Sequence, residues 1–255
     1  MKKQSAAILA SVLLVATALV LGSLVQYAFY GRDGDEIVLP GSDVVDQTPV
    51  DQIAVQNKEL LETLTVGTEN IGLLLSQLSR PPVYHWESRV TLHGGGVTGR
   101  TMVSADAEGV KLRVSVRRES GGTVEEYLLT DLRYYAWESG DTLLYSGKRS
   151  DFTEDDIMLS VSYENLLELP PEYMLEAYVT RVGQRDCLAI VALDPASGYR
   201  LDYRVAVEDG MLLSLTATME DKVVYQVERI ILEQGVVRSG AFNLPDGSQP
   251  EVAAG

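Results

Sequence analysis

Cysteine is nearly absent: Cys187 is the one thiol in 255 residues. No internal disulfide can form, and its place in the apolar run from Cys187 to Val191 marks it as a small buried hydrophobe rather than a nucleophile. Histidine is as sparse, with His85 and His93 alone. Eight positions apart on the polar side of one stretch, and with no second cysteine, they match no recognised metal-ligand spacing. Basic residues are outnumbered, 21 Lys and Arg against 37 Asp and Glu, for a formal net charge of −16. Such a surface repels nucleic acid and anionic lipid headgroups, so neither is expected as a partner. Catalytic signatures are missing too. His93-Gly94-Gly95-Gly96 has the form of an esterase oxyanion loop, but no G-x-S-x-G elbow accompanies it, and a turn between strands is the expectation. Asp33-Gly34-Asp35-Glu36 and Glu154-Asp155-Asp156 lack the glycine and terminal glutamate of an EF-hand loop and read as solvated charge. The expectation is a protein that is not an enzyme and holds no metal or cofactor.

Acidic residues are missing altogether before Asp33, and what stands there instead is apolar. After Met1-Lys2-Lys3-Gln4, no charge occurs from Ser5 to Tyr30, and the apolar part from Ala6 to Val25 has about the 20 residues that a helix needs to cross a bilayer. A signal peptide's apolar region is shorter, about 7–15 residues, and no small-x-small cleavage site follows the run. Residues 1–30 are therefore read as an uncleaved signal anchor, a transmembrane helix, with a cleaved signal peptide as the alternative. Lys2 and Lys3 before the span, and Asp33, Asp35 and Glu36 after it, orient the N-terminus inward. The expected location is the cytoplasmic membrane, single-pass, with the C-terminal domain outside the cytoplasm. No cysteine ends the segment, which excludes a lipid-modified N-terminus. Residues 31–50, bearing Gly, Pro and Asp without periodicity, read as a juxtamembrane linker.

From Asp51 the apolar residues recur at helical spacing, first Ile53, Leu60, Leu61 and Leu64, then Ile71, Leu74, Leu75 and Leu78, until Pro81-Pro82 ends the pattern. Beyond Pro82 the period changes to two. Tyr84, Trp86, Ser88, Val90 and Leu92 alternate with polar residues, as do Leu112, Val114 and Val116, and later Leu201, Tyr203 and Val205. Turn signals separate such runs, among them Gly121-Gly122, Ser139-Gly140-Asp141 and Asp209-Gly210. The pattern gives about eleven strands, near 84–93, 97–104, 110–118, 122–130, 132–138, 142–146, 174–182, 185–193, 199–207, 210–219 and 222–233. One acidic-start helix, over Asp151 to Leu169, interrupts them and is closed by Pro170-Pro171. The fold class expected is α+β, with helices covering one face of a long antiparallel sheet.

The last third resembles a known family. Asp194-Pro195-Ala196-Ser197-Gly198 before a strand with Arg200, then Asp209-Gly210, a strand with Tyr225 and a closing Phe242-Asn243-Leu244-Pro245, look like the C-terminal half of the LolA-like superfamily. That superfamily includes the outer-membrane lipoprotein carrier, RseB-type stress regulators and lipid-carrying mycobacterial lipoproteins. Tyr134-Tyr135-Ala136-Trp137, the Gly140 turn and Tyr145 resemble its central hairpin. The resemblance implies an open antiparallel half-barrel of about eleven strands over 51–245, with helices on its concave side, and a disordered tail over 246–255. It also implies a partner: a lipid or lipoprotein acyl chain held in the half-barrel, or a ligand sensed at the bacterial envelope. Trp86, Tyr135, Trp137, Tyr145, Tyr203, Met211, Leu213, Leu215 and Tyr225 are the candidate cavity residues. Ordinary core packing is the competing reading for each. A tethered chain does not shuttle, which favours a sensor or accessory role. The alternative is a scaffold that binds an envelope protein through sheet edges or its N-terminal helices.

Overall fold

Helix, then meander, is the order in which the chain builds its core. The computed structural model describes residues 50–94, 97–142, 144–149, 163 and 165–253. Helices α1 (Val50–Thr63) and α2 (Ile71–Gln77) stand where the helical periodicity lies, and their inward positions are Ile53 and Asn57, then Ile71, Leu74 and Leu75. In the connection, the Asn70 side chain accepts a hydrogen bond from the Gly67 amide at 3.0 Å. Leu78 turns extended, and two prolines follow that have no amide with which to continue a helix.

Eleven antiparallel strands follow: β1 (Val83–Gly94), β2 (Val97–Glu108), β3 (Lys111–Arg118), β4 (Glu125–Leu129), β5 (Arg133–Glu138), β6 (Tyr145–Lys148), β7 (Met174–Val182), β8 (Arg185–Leu193), β9 (Arg200–Ala206), β10 (Leu212–Met219) and β11 (Lys222–Gln234). Each strand pairs with its sequence neighbour except across the β6–β7 connection. The pairing of β1 with β11 joins two meanders into one sheet, ordered β6-β5-β4-β3-β2-β1-β11-β10-β9-β8-β7. Register slips at Glu87/Ser88, Leu212/Ser214, Ala217/Thr218 and Met174/Glu176 add local twist. A sheet of this width does not stay flat, and with β6 and β7 as its outermost strands it fits an open half-barrel.

All eleven expected strands are present, with shifted ends. β4 starts at Glu125 because Gly121 and Gly122 both hold positive φ in the preceding loop. β2 runs on to Glu108, since the tight Gly109 turn lets Glu108 pair with Lys111. Between β6 and β7 the described helix is α3 (Asn165–Glu168), followed by a 3₁₀ turn at Pro171–Tyr173. Of the helix expected over 151–169, Tyr163 and Leu169 are described and are not helical, and Val50, expected as the end of the linker, begins α1; the remainder of that helix, the N-terminal anchor and residues 31–49 lie outside the described residues. Among the described residues, no helix is long and apolar enough to cross a membrane.

One face of the sheet carries the main core under α1 and α2, in which Leu74, Trp86, Val114, Leu188, Ile190 and Tyr203 are buried. The opposite, outer face of β1–β5 is padded by the chain after β11. Ala241 and Phe242 pack on Leu128, Tyr135 and Trp137. This strap continues past Pro245, into the stretch expected as a disordered tail. The Glu251 amide donates to the Tyr135 hydroxyl at 3.0 Å, Ala253 donates to Asp131, and Pro250 is buried. The tail stays put because it finds partners for its backbone amides.

Candidate functional site: the helix-covered face

Strand alternation sorts the candidate residues by face. Trp86 stands opposite Ala105, and Tyr84 opposite Ala107, so small side chains on β2 make room for large ones on β1. Leu215 pairs with Val227 on β11 and with Tyr203 on β9, which in turn faces Ile190 on β8. These residues form one apolar layer. Trp86, Tyr203 and Leu215 are buried in it, Met211 and Tyr225 pack at its margin, and Leu213 sits half-buried at the β10 bulge.

The other candidates are elsewhere. Tyr135 and Trp137 project to the outer face, where the strap covers them and the Arg113 guanidinium lies 4.8 Å from the Trp137 ring centre. Tyr145, at the β6 edge, is 66% exposed and leans on Tyr134 with ring centres 5.9 Å apart. The structure therefore brings Trp86, Met211, Tyr203, Leu215 and Tyr225 together and separates Tyr135, Trp137 and Tyr145 from them.

The helices are tied to this face at one end. Asn57, 1% exposed, donates to the Ser79 and Val207 carbonyls at 2.9 Å each and accepts from the Ser79 amide at 2.8 Å. Gly210, in the same β9–β10 turn, has φ +63°, and a Cβ there would lie 2.4 Å from the Ser79 carbonyl oxygen, so only glycine lets the two segments meet. The Tyr163 hydroxyl donates to the Gly210 carbonyl at 2.7 Å and accepts from Arg80 Nε at 3.1 Å. Two of these bonds reach the β9–β10 turn, Asn57 to Val207 and Tyr163 to Gly210, and the others hold Asn57, Ser79, Arg80 and Tyr163 together beside it. Elsewhere the described contacts of α1 and α2 with the sheet are apolar.

Charge also enters the covered face. Arg229 pairs with Asp209 at 2.9 Å, their side chains 2% and 3% exposed. Asp209 additionally accepts from the Met211 amide at 3.0 Å and lies 3.7 Å from the half-exposed Arg185. Among the described residues, four buried side-chain atoms have no hydrogen-bond partner: Trp86 Nε1, Ser88 Oγ, Arg229 Nη2 and Gln234 Oε1.

The outer face holds a network that sequence reading missed. His85, read there as a polar-face residue, is buried, with Nδ1 3.0 Å from Asp106 and Nε2 3.2 Å from Glu87. Asp106 is fully buried and accepts from the Arg238 amide at 3.0 Å and from Arg238 Nε at 2.6 Å. A small cleft of about 230 Å³ opens beside it, lined in part by Glu87, Ser104, Glu126 and Arg238. Its walls are polar and carry both signs of charge. Cys187 is buried as expected, and burial pushes its thiol pKa up, away from reactivity.

The residues that carried the family resemblance turn out to hold the frame. Asp194 closes the β8–β9 turn by accepting from the Ala196 amide at 3.0 Å and from the Ser197 hydroxyl, and Gly198 supplies positive φ. Phe242 belongs to the strap.

No family model and no curated protein matches the chain. Similar solved structures include an uncharacterised conserved protein from Thermus thermophilus (10% identity, 77% of this chain and 98% of that one, TM-score 0.43). MucB is another, at 12% identity and TM-score 0.42 over 77% of this chain, which spans 63% of MucB's length. A LolA superfamily protein from Nitrosomonas europaea matches at 8% identity and TM-score 0.32, over 74% of this chain and 98% of that one.

Proposed function

We propose that the folded part is a non-catalytic binding domain of the bacterial envelope. In this reading it takes an acyl chain, of a lipid or a lipoprotein, between the helices and the sheet, and the segment before Gly31 tethers it at the outer face of the cytoplasmic membrane. The observation that carries the reading is the one-sided anchoring of α1 and α2. Their described polar tie to the sheet is the Asn57 bond to the Val207 carbonyl at the β9–β10 turn, while the rest of their described contact with the broad core face is apolar. Apolar contacts are non-directional, so a hydrocarbon chain can replace one set with another as the helices swing from that turn.

A second reading has its own support. Edge strand β7 leaves Leu175, Tyr178, Val179 and Val182 exposed and, among the described residues, pairs with β8 alone, the arrangement by which an extended segment of a partner adds a strand. Mass spectrometry of the full chain, purified from its native membranes, separates the two. Acyl lipid or lipoprotein near one per chain supports the binding domain. A lipid-free chain that carries a protein crosslinked along β7 supports the scaffold. Fractionation tests the tether: full-length chain in membranes is expected, and a soluble species starting between Gly22 and Arg32 would make the segment a cleaved signal.

A further inference from the structure

The four partnerless atoms are not scattered. Ser88 stands directly opposite Arg229 across the β1–β11 pair, Trp86 is the next residue on the same face of β1, and Gln234 stands opposite Tyr84 one step further on. Opposed side chains start about 4.5–5.5 Å apart and same-face neighbours on a strand about 7 Å apart. The atoms therefore make one row on the central seam of the core face. Trp86 is 2% exposed, Ser88 0% and Arg229 8%, so solvent does not satisfy them. Natural cores leave few such groups, and a cluster of them calls for an occupant that hydrogen-bonds.

The occupant's chemistry follows from the donors. Trp86 Nε1 and Arg229 Nη2 can only donate, and the Ser88 hydroxyl can donate as well, so this stretch of the seam asks for an oxygen acceptor, while Gln234 Oε1, one step beyond at a half-buried position, is itself an acceptor. The Arg229 charge is already met by Asp209 at 2.9 Å, while Arg185, 3.7 Å from Asp209, is 45% exposed. An anion brought here would stay largely uncompensated, whereas a neutral carbonyl would not. Apolar side chains continue the layer on either side, Val90 on β1 and Val227 and Leu232 on β11. We propose that this seam receives the neutral carbonyl head, ester or amide, of the acyl ligand whose tail lies in the apolar layer. The proposal rests on the acyl-binding reading above and adds to it where the head lies and what it is.

The test uses the full chain held in amphipol, with Trp137→Phe on the outer face leaving Trp86 as the single indole. The probes are methyl 2-bromododecanoate, 2-bromododecanoic acid and 1-bromododecane, whose bromine quenches a nearby indole. Saturable quenching is expected from the ester, with affinity about tenfold above the bromoalkane and above the acid. Ser88→Ala should weaken the ester severalfold, leave the bromoalkane unchanged and leave the ligand-free Tm unchanged or higher, because its hydroxyl has no partner to lose. Equal affinity for ester and alkane, or no effect of Ser88→Ala on the ester, overturns the seam as a head site while the acyl-binding reading stands. Preference for the acid overturns the neutral head. If none of the three binds, the acyl-binding reading falls and this proposal with it.

Discussion

The face under α1 and α2 and the face under the C-terminal strap are both buried, but by opposite chemistry. Under the helices lies a largely apolar layer from β5 to β7, into which one buried ion pair, Arg229 with Asp209, enters. Under the strap, directional polar contacts dominate: Asp106 to His85 and Arg238, and Arg113 to Glu126 and to the carbonyls of Ala241 and Asn243. Polar contacts lose their geometry when their partners shift, whereas apolar ones tolerate sliding. The strap therefore fixes one meander, and the proposed function takes the helices as the cover that moves.

This contrast is open to attack by mutation. Leu188→Ala, at a fully buried position of the apolar layer, should lower unfolding stability by about 3 kcal/mol in denaturant titration. A loss under about 1 kcal/mol would mean the layer is already loosely packed there. Asn57→Ala removes two hydrogen bonds to Ser79 and one to Val207 at the β9–β10 turn and should cost about 2 kcal/mol. Hydrogen exchange should accelerate in α1 and α2 while β1 and β11 keep their protection. Uniform acceleration would show that the helices are no separate cover. Arg238→Ala leaves Asp106 its bonds to His85 and to the residue 238 amide, so the cost should be about 1 kcal/mol, with faster exchange confined to the strap and β2–β3.

The smallest effect is one of pH. The Tyr127 pKa is pushed up to about 12, first by burial and then by the Glu125 carboxylate beside it. The unfolded tyrosine ionises near pH 10, so between pH 10 and about 12 the folded state holds the proton more tightly. Its contribution is complete below about pH 10 and is lost as pH rises through that window. Tyr127→Phe should flatten this part of the alkaline stability profile. An unchanged slope would place the tyrosine in water.

How far the molecule is legible from its sequence depends on which physical rule governs each part. The strands could be read because a period of two with glycine turns survives local changes, as at Tyr84, Trp86 and Val90 or at Leu112 and Val114. The covered and outer faces could not be told apart at Tyr134-Tyr135-Ala136-Trp137, where aromatics occupy both parities and only the pairing of Leu128 with Tyr135 settles which side each takes. The polar seam was hidden by the bulge at Ile230, which shifts the alternation between Arg229 and Leu232. His85 read as a surface residue because its cover, Arg238, follows the last strand in a stretch without periodicity.

The central claim is that hydrocarbon lies between the helices and the sheet, and affinity against chain length addresses it most directly. Saturated acyl methyl esters of increasing length should bind the full chain saturably. Each added methylene buried contributes about 0.8 kcal/mol, roughly a fourfold gain in affinity, until the layer is filled and the series levels off. Affinity that stays flat with length in a chain that keeps its near-ultraviolet dichroism would contradict the account and leave the exposed β7 edge as the feature to pursue.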